Sequence, residues 1–312
     1  MTDLSTAAGA VVWLALVGVV RGGAVGLSTV ELYVALATLV LVPLGLGLLE
    51  PARDATGGST PYAAAVVGQL PAALAAVAGL AAPQGSPAAV ALVAPWLGVT
   101  GSTALLGFRR AASRRGGPLP ELAIDAACLY VPVAAAFLCL HATGTSLRFA
   151  PIIVLLTGVH FHYAGFVLPL VVGLAGRIMA PEGGRFETTI AGLVATASTV
   201  VIVVGIGLIA VGITFSPLIE VLAVAVFTAG VAGFAALLLR EAVPAVSRLP
   251  GALLAVAALS VFWTMALALA FAYSSLSGTQ VLVTIPEMVR WHGSVNALGF
   301  ALPALLAFRL LE

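Results

Sequence analysis

Ten stretches of this chain approach or exceed the length of apolar sequence that crosses a bilayer, and that repetition decides most of what it can fold into. A span needs about 20 apolar residues. Reading for such runs gives roughly 7–26, 30–49, 61–82, 88–108, 120–141, 149–176, 188–212, 217–239, 250–276 and 288–311. The first is the weakest, because Arg21 interrupts it. The others are bounded by turn or charge signals: Pro51-Ala-Arg-Asp-Ala-Thr-Gly-Gly, Pro83-Gln-Gly-Ser-Pro, Arg109 to Pro120, Pro181-Glu-Gly-Gly, Ser216-Pro217 and Arg248-Leu-Pro-Gly. Hydrocarbon supplies no hydrogen bonds, so runs of this length satisfy their backbone as helices. Only 8% of the residues are charged, against about 25% in a soluble domain. The expected fold is all-α, a polytopic transmembrane bundle of about ten helices whose first partner is the lipid bilayer. A net charge of +1 indicates no nucleic acid.

All 13 basic residues are arginine, and their placement orients the chain. Arg109, Arg110, Arg114 and Arg115 follow the fourth run, which puts that connection in the cytoplasm. Alternation then places Arg53, Arg177, Arg185, Arg240, Arg248 and Arg309 on the same side and Arg21, Arg148 and Arg290 on the other. This predicts an even number of spans in the plasma membrane, with both termini cytoplasmic. Met1 to Thr6 contains Asp3 and no basic stretch, so a cleaved signal peptide is not expected. Cys128 and Cys139 fall on one predicted helix about 16 Å apart along its axis, too far for a disulfide.

An internal repeat is visible. Gly165-Phe-Val-Leu-Pro169 in the sixth run recurs as Gly299-Phe-Ala-Leu-Pro303 in the tenth, and Leu119-Pro120 parallels Leu249-Pro250. Each offset spans four helices, which predicts two parallel four-helix units, helices 3–6 (61–177) and 7–10 (188–309), after two N-terminal helices, within one integral membrane domain.

The polar residues inside these runs are the candidate site. Thr157 to Arg177 reads TGVHFHYAGFVLPLVVGLAGR, with His160, His162 and Tyr163 near its middle. An imidazole in hydrocarbon without a partner costs several kcal/mol, so two at one depth mark a functional centre. They lie about 200° apart around a straight helix and therefore cannot share one metal side by side. Gly158, Gly165, Pro151 and Pro169 allow the helix to unwind locally. A second centre, Trp291-His-Gly-Ser-Val-Asn296, puts His292 and Asn296 at i, i+4. The repeat sets Asn296 opposite His162. Among the acids, Glu121 and Asp125 share a face at the inner end of the fifth helix; Glu121 suits the nearby arginines, and Asp125, one turn deeper, is the candidate proton or substrate group. Glu31, Glu220 and Glu287 sit at the outer ends of their helices.

No HExxH, CxxC, CxxCH or GxxxxGK[ST] occurs, so zincin, redox-dithiol, c-type haem and P-loop chemistries have no signature here, and no catalytic constellation is found. The strings TGVHFHYAGFVLPLVVGLAGR and WHGSVNALGF resemble the YndJ-like family of prokaryotic membrane proteins. The resemblance covers about 40 residues directly and implies a shared centre at His160, His162, Tyr163, His292 and Asn296, without choosing its chemistry. Two readings follow. In the first, the protein transports a small solute or ion, without a cofactor, through a histidine-centred site that exchanges protons. In the second, His160 or His162, together with His292, ligates haem or a transition metal in a redox protein.

Overall fold

The computed structural model describes residues 1–49, 60–115, 117–180, 186–278 and 281–312. Arg53, Arg185 and the turn signals at 51–58 and 181–184 lie outside the described residues. Among those described, the chain is helical, with no strand. Nine helices are long and apolar enough to cross a membrane: α1 (Thr2–Arg21), α2 (Thr29–Leu48), α3 (Thr60–Ala81), α4 (Pro87–Arg114), α5 (Leu119–Thr143), α6 (Pro151–Met179), α7 (Ile190–Phe215), α8 (Pro217–Ala242) and α9 (Arg248–Ser277). A tenth, α10, covers 285–309. It opens with Glu287, Arg290, His292 and Asn296, which lower its hydropathy below that of the other nine.

Helix boundaries follow local chemistry. α1 begins earlier than its apolar run suggests and stops at Arg21, whose charge in the last turn complements the helix dipole. α2 starts with a capping box, in which Ser28 and Glu31 each accept from the other's backbone N–H. α4 extends through Arg114, so Arg109, Arg110 and Arg114 are helical and not in a connecting loop.

The described residues form two compact units, one drawn from 1–116 and 125–168, the other from 117–124 and 169–312. In the first, α2 is the central element, with nearly every residue from Tyr33 to Leu49 buried. α1 reaches it at Gly9, where any Cβ would overlap the Leu39 carbonyl. In the second, α7, α8 and α9 leave Ile190, Leu193, Leu222, Leu259 and Trp263 exposed. A surface of that kind is ruinous in water and ordinary against lipid.

Proline shapes several of these helices. Five π-helical segments occur among the described residues: Ala37–Leu41, Phe161–Val167, Leu238–Ala242, Met288–Gly293 and Val295–Ala301. Four of them end two residues before a proline: Pro43, Pro169, Pro244 and Pro303. In each case the residue before the proline donates its N–H five residues back, Val42 to Ala37, Leu168 to Tyr163, Val243 to Leu238 and Leu302 to Ala297. A proline inside an α-helix lacks its own N–H and drives its ring into the carbonyl four residues earlier. Widening the preceding turn relieves that clash without unwinding the helix. The local unwinding expected at Pro169 is therefore a π turn. The segments in α6 and α10 lie at one constant offset, residue 161 corresponding to 295 and residue 167 to 301.

Candidate functional site

In the first unit the widened turn of α6 carries His162 and Tyr163, both buried. His162 has no exposed surface. Its Nε2 lies 3.0 Å from Trp96 Nε1 of α4, and its Nδ1 lies 2.8 Å from the Gly158 carbonyl oxygen. An indole N–H only donates and a carbonyl only accepts. The hydrogen-bond network thus assigns a single state: Nε2 accepts from Trp96 and Nδ1–H donates to Gly158. The two rings lie 6.1 Å apart between centroids, tilted by 28°. A metal or haem iron at His162 would need the Nε2 lone pair that Trp96 occupies. A second proton would need the same position.

His160 points the other way. Its side chain is on the exposed surface of the chain, and its Nδ1–H donates to the Leu156 carbonyl at 2.7 Å. The half-turn separation read from the sequence is what the backbone produces. Tyr163 reaches α2, its hydroxyl donating to the Tyr33 carbonyl at 2.9 Å. Among the described residues no three His, Cys, Asp or Glu side chains come together to hold a metal ion.

Close to the same depth is a residue that the sequence reading passed over. Gln69 sits mid-way along α3, about 14 Å from its start at 1.5 Å per residue. It has no exposed surface. Both its amide atoms, Nε2 and Oε1, have no hydrogen-bond partner among the described residues. The preceding residue, Gly68, faces Val99 of α4, which brings Gln69 near the depth of Trp96 and Thr100. Thr100 and Thr103 are themselves fully buried and return their hydroxyls to the Trp96 and Val99 carbonyls. The signal for Gln69 was in the sequence: an amide at the centre of an otherwise apolar span.

Asp125 is fully committed. Arg110 Nε donates to its Oδ1 at 2.8 Å, and Arg114 Nη2 donates to its Oδ2; Arg110 and Asp125 are each 2% exposed. Gly107 makes this possible, since a Cβ there would lie 2.6 Å from that of Cys128 and 2.9 Å from the Asp125 carbonyl oxygen. Glu121 has an arginine partner on α6. It forms a two-pronged pair with Arg177, at 2.6 and 3.0 Å, within the second unit. The cluster's carboxylate is the deeper Asp125, one turn further along α5.

The second polar centre gathers on one residue of α9, Thr264, which nothing in its local sequence singles out. His292 donates its Nδ1–H to the Thr264 carbonyl at 2.8 Å, and the Thr264 hydroxyl donates to Asn296 Oδ1 at 2.9 Å. The i, i+4 pair on α10 does present one face, and Thr264 takes both members of it. Cys128 and Cys139 are free thiols.

These features define a multi-pass helical membrane protein with a polar centre in each unit, buried in the first and half-buried in the second. The YndJ-like protein family model matches residues 32–300, and the chain belongs to that family. A curated relative, the uncharacterized membrane protein YndJ of Bacillus subtilis (strain 168), is 32% identical over 169 residues. That alignment covers 53% of this chain and 28% of the relative, so the chain spans well under half the length of that protein. No solved structure matches.

Proposed function

We propose that the protein is a transporter of a small polar solute, and that Gln69, Trp96 and His162 in the first unit form the mid-membrane site the solute passes. One observation carries this reading: the Gln69 amide, fully buried near mid-span, with donor and acceptor both unpartnered among the described residues. A polar group left so costs about 1–3 kcal/mol, and such a group in a membrane helix marks a binding position or pathway by default. The π turns of α2 and α6 support the same reading, because such turns recur at functional sites. The part assigned to histidine differs from simple proton exchange. His162 orients Trp96 and shapes the site as a neutral imidazole, and the solute meets the amide. Asp125 serves as a structural counter-charge for Arg110 and Arg114. The matched π segments of α6 and α10 support reading 61–177 and 188–309 as two repeats, with Thr264, His292 and Asn296 as the second unit's counterpart centre. The arginine bias supports a plasma-membrane protein with both termini in the cytoplasm.

The test is solute flux. Purified protein in liposomes, given osmotic steps of urea, glycerol, glycine and methylammonium and followed by light scattering, should pass at least one solute faster than protein-free vesicles. Gln69→Leu should abolish that excess. No excess flux for any member of the panel, or an unchanged rate in Gln69→Leu, overturns the proposal.

A further inference from the structure

At the end of the first unit remote from the Arg110–Asp125 pair, four helices converge on a cavity of about 200 Å³. Its walls come from Glu31 at the start of α2, Gly79 near the end of α3, Ala89 at the start of α4, and His141 and Ala142 at the end of α5, with Gln84 from the α3–α4 turn. Each of these lies at a helix end, so the cavity opens where lipid headgroups begin.

The polar groups are arranged unequally. Glu31 uses one carboxylate oxygen, Oε2, for its capping box, accepting from the Ser28 backbone N–H at 2.6 Å and its hydroxyl at 2.7 Å. The other oxygen has no partner among the described residues. Gln84 Nε2 donates to the His141 carbonyl at 2.8 Å and lies 3.4 Å from His141 Nδ1. An amide nitrogen only donates, so this contact holds Nδ1 as an acceptor, and Gln84 Oε1 has no partner among the described residues. Among the lining residues Glu31 is the one acid, and no arginine is present. The cavity therefore offers a carboxylate oxygen and an amide oxygen to a ligand smaller than the occupants of drug-sized pockets, which start near ~300 Å³.

We infer that this cavity is a binding site for a primary ammonium group, with Glu31 as its counter-charge and Gln84 as its second acceptor. A primary ammonium carries three donors and a single positive charge, which complements acceptors of this kind. The group can belong to a free small amine or to an ethanolamine lipid headgroup, since the cavity sits at headgroup depth. The inference stands apart from the transport reading, because binding is measured without flux.

The test uses the full chain in phosphatidylcholine nanodiscs, titrated with methylammonium chloride against sodium chloride at matched ionic strength, with thermal unfolding as the readout. Wild-type protein should show saturable stabilisation by methylammonium beyond the sodium control. Glu31→Gln should weaken it at least tenfold, since glutamine preserves the capping box and removes only the charge. Gln84→Leu, at an exposed turn position, should weaken it independently and serves if Glu31→Gln does not fold. Glu220→Gln, a carboxylate of the second unit, should respond as wild type. Adding phosphatidylethanolamine to the discs separates the sources: weaker apparent methylammonium binding identifies the headgroup, and unchanged binding identifies the free amine. No response beyond sodium, or Glu31→Gln and Gln84→Leu both matching wild type, overturns the inference.

Discussion

Replacing Gln69 by leucine separates a residue that holds the fold together from one kept at the fold's expense. Leucine has nearly the same bulk and carries no polar atoms, so the substitution removes two buried, unpartnered groups and leaves the packing of α3 against α4 intact. Each such group costs about 1–3 kcal/mol, and some of that is already relaxed in the native state. A net gain of about 2 kcal/mol follows, a shift of about 30-fold in the unfolding equilibrium. For a chain of this size it corresponds to a rise of about 3 °C in Tm. Thermal unfolding in detergent, with urea unfolding as a second probe, measures it directly. The variant should be more stable and, in liposomes, inactive. A loss of 1 kcal/mol or more would show that the amide is bonded within the fold, and would refute the reasoning.

Three further outcomes follow from particular contacts. Asp125→Ala removes the buried carboxylate that Arg110 and Arg114 both donate to and should cost about 3–5 kcal/mol; Glu121→Gln, whose partner Arg177 is 37% exposed, should cost about 1 kcal/mol or less, and parallel melts of the two compare them. Trp96→Phe removes the donor to His162 Nε2 and should destabilise by about 1–3 kcal/mol, read from urea unfolding. Thr264→Val removes the hydroxyl bond to Asn296 while sparing the backbone bond to His292, so it should cost about 1 kcal/mol and leave the His292 ring resonances unmoved by NMR.

The bundle was legible because its cause is local: twenty apolar residues between turn signals can do little else in lipid, and the helix boundaries moved by only a few residues. α1 moved most, since Arg21 reads as an interruption and is in fact a favourable last-turn cation. The π turns were half legible. Pro43, Pro169, Pro244 and Pro303 announce a disturbed helix, yet Pro71, Pro95 and Pro132 sit inside α-helices without a π turn, and nothing local distinguishes the two groups. The partners of the polar residues were not legible. Trp96 and His162 are 66 positions apart, and an indole in an apolar run reads as core. That Asp125 meets Arg110 and Arg114 depends on how closely α5 approaches α4, which the absence of a Cβ at Gly107 allows. Gln69 was legible as an amide at the centre of an apolar span, but the absence of a partner for it was not, since that depends on α4.

The role given to His162 beside Gln69 requires a neutral ring that accepts from Trp96 and donates to Gly158. Nitrogen-15 NMR of selectively labelled histidine at pH 7, assigned through His162→Gln, measures that state. The expected spectrum has a protonated Nδ1, an unprotonated Nε2 and a hydrogen-bond coupling from the Trp96 indole. A ring protonated at Nε2, or at both nitrogens, would contradict it.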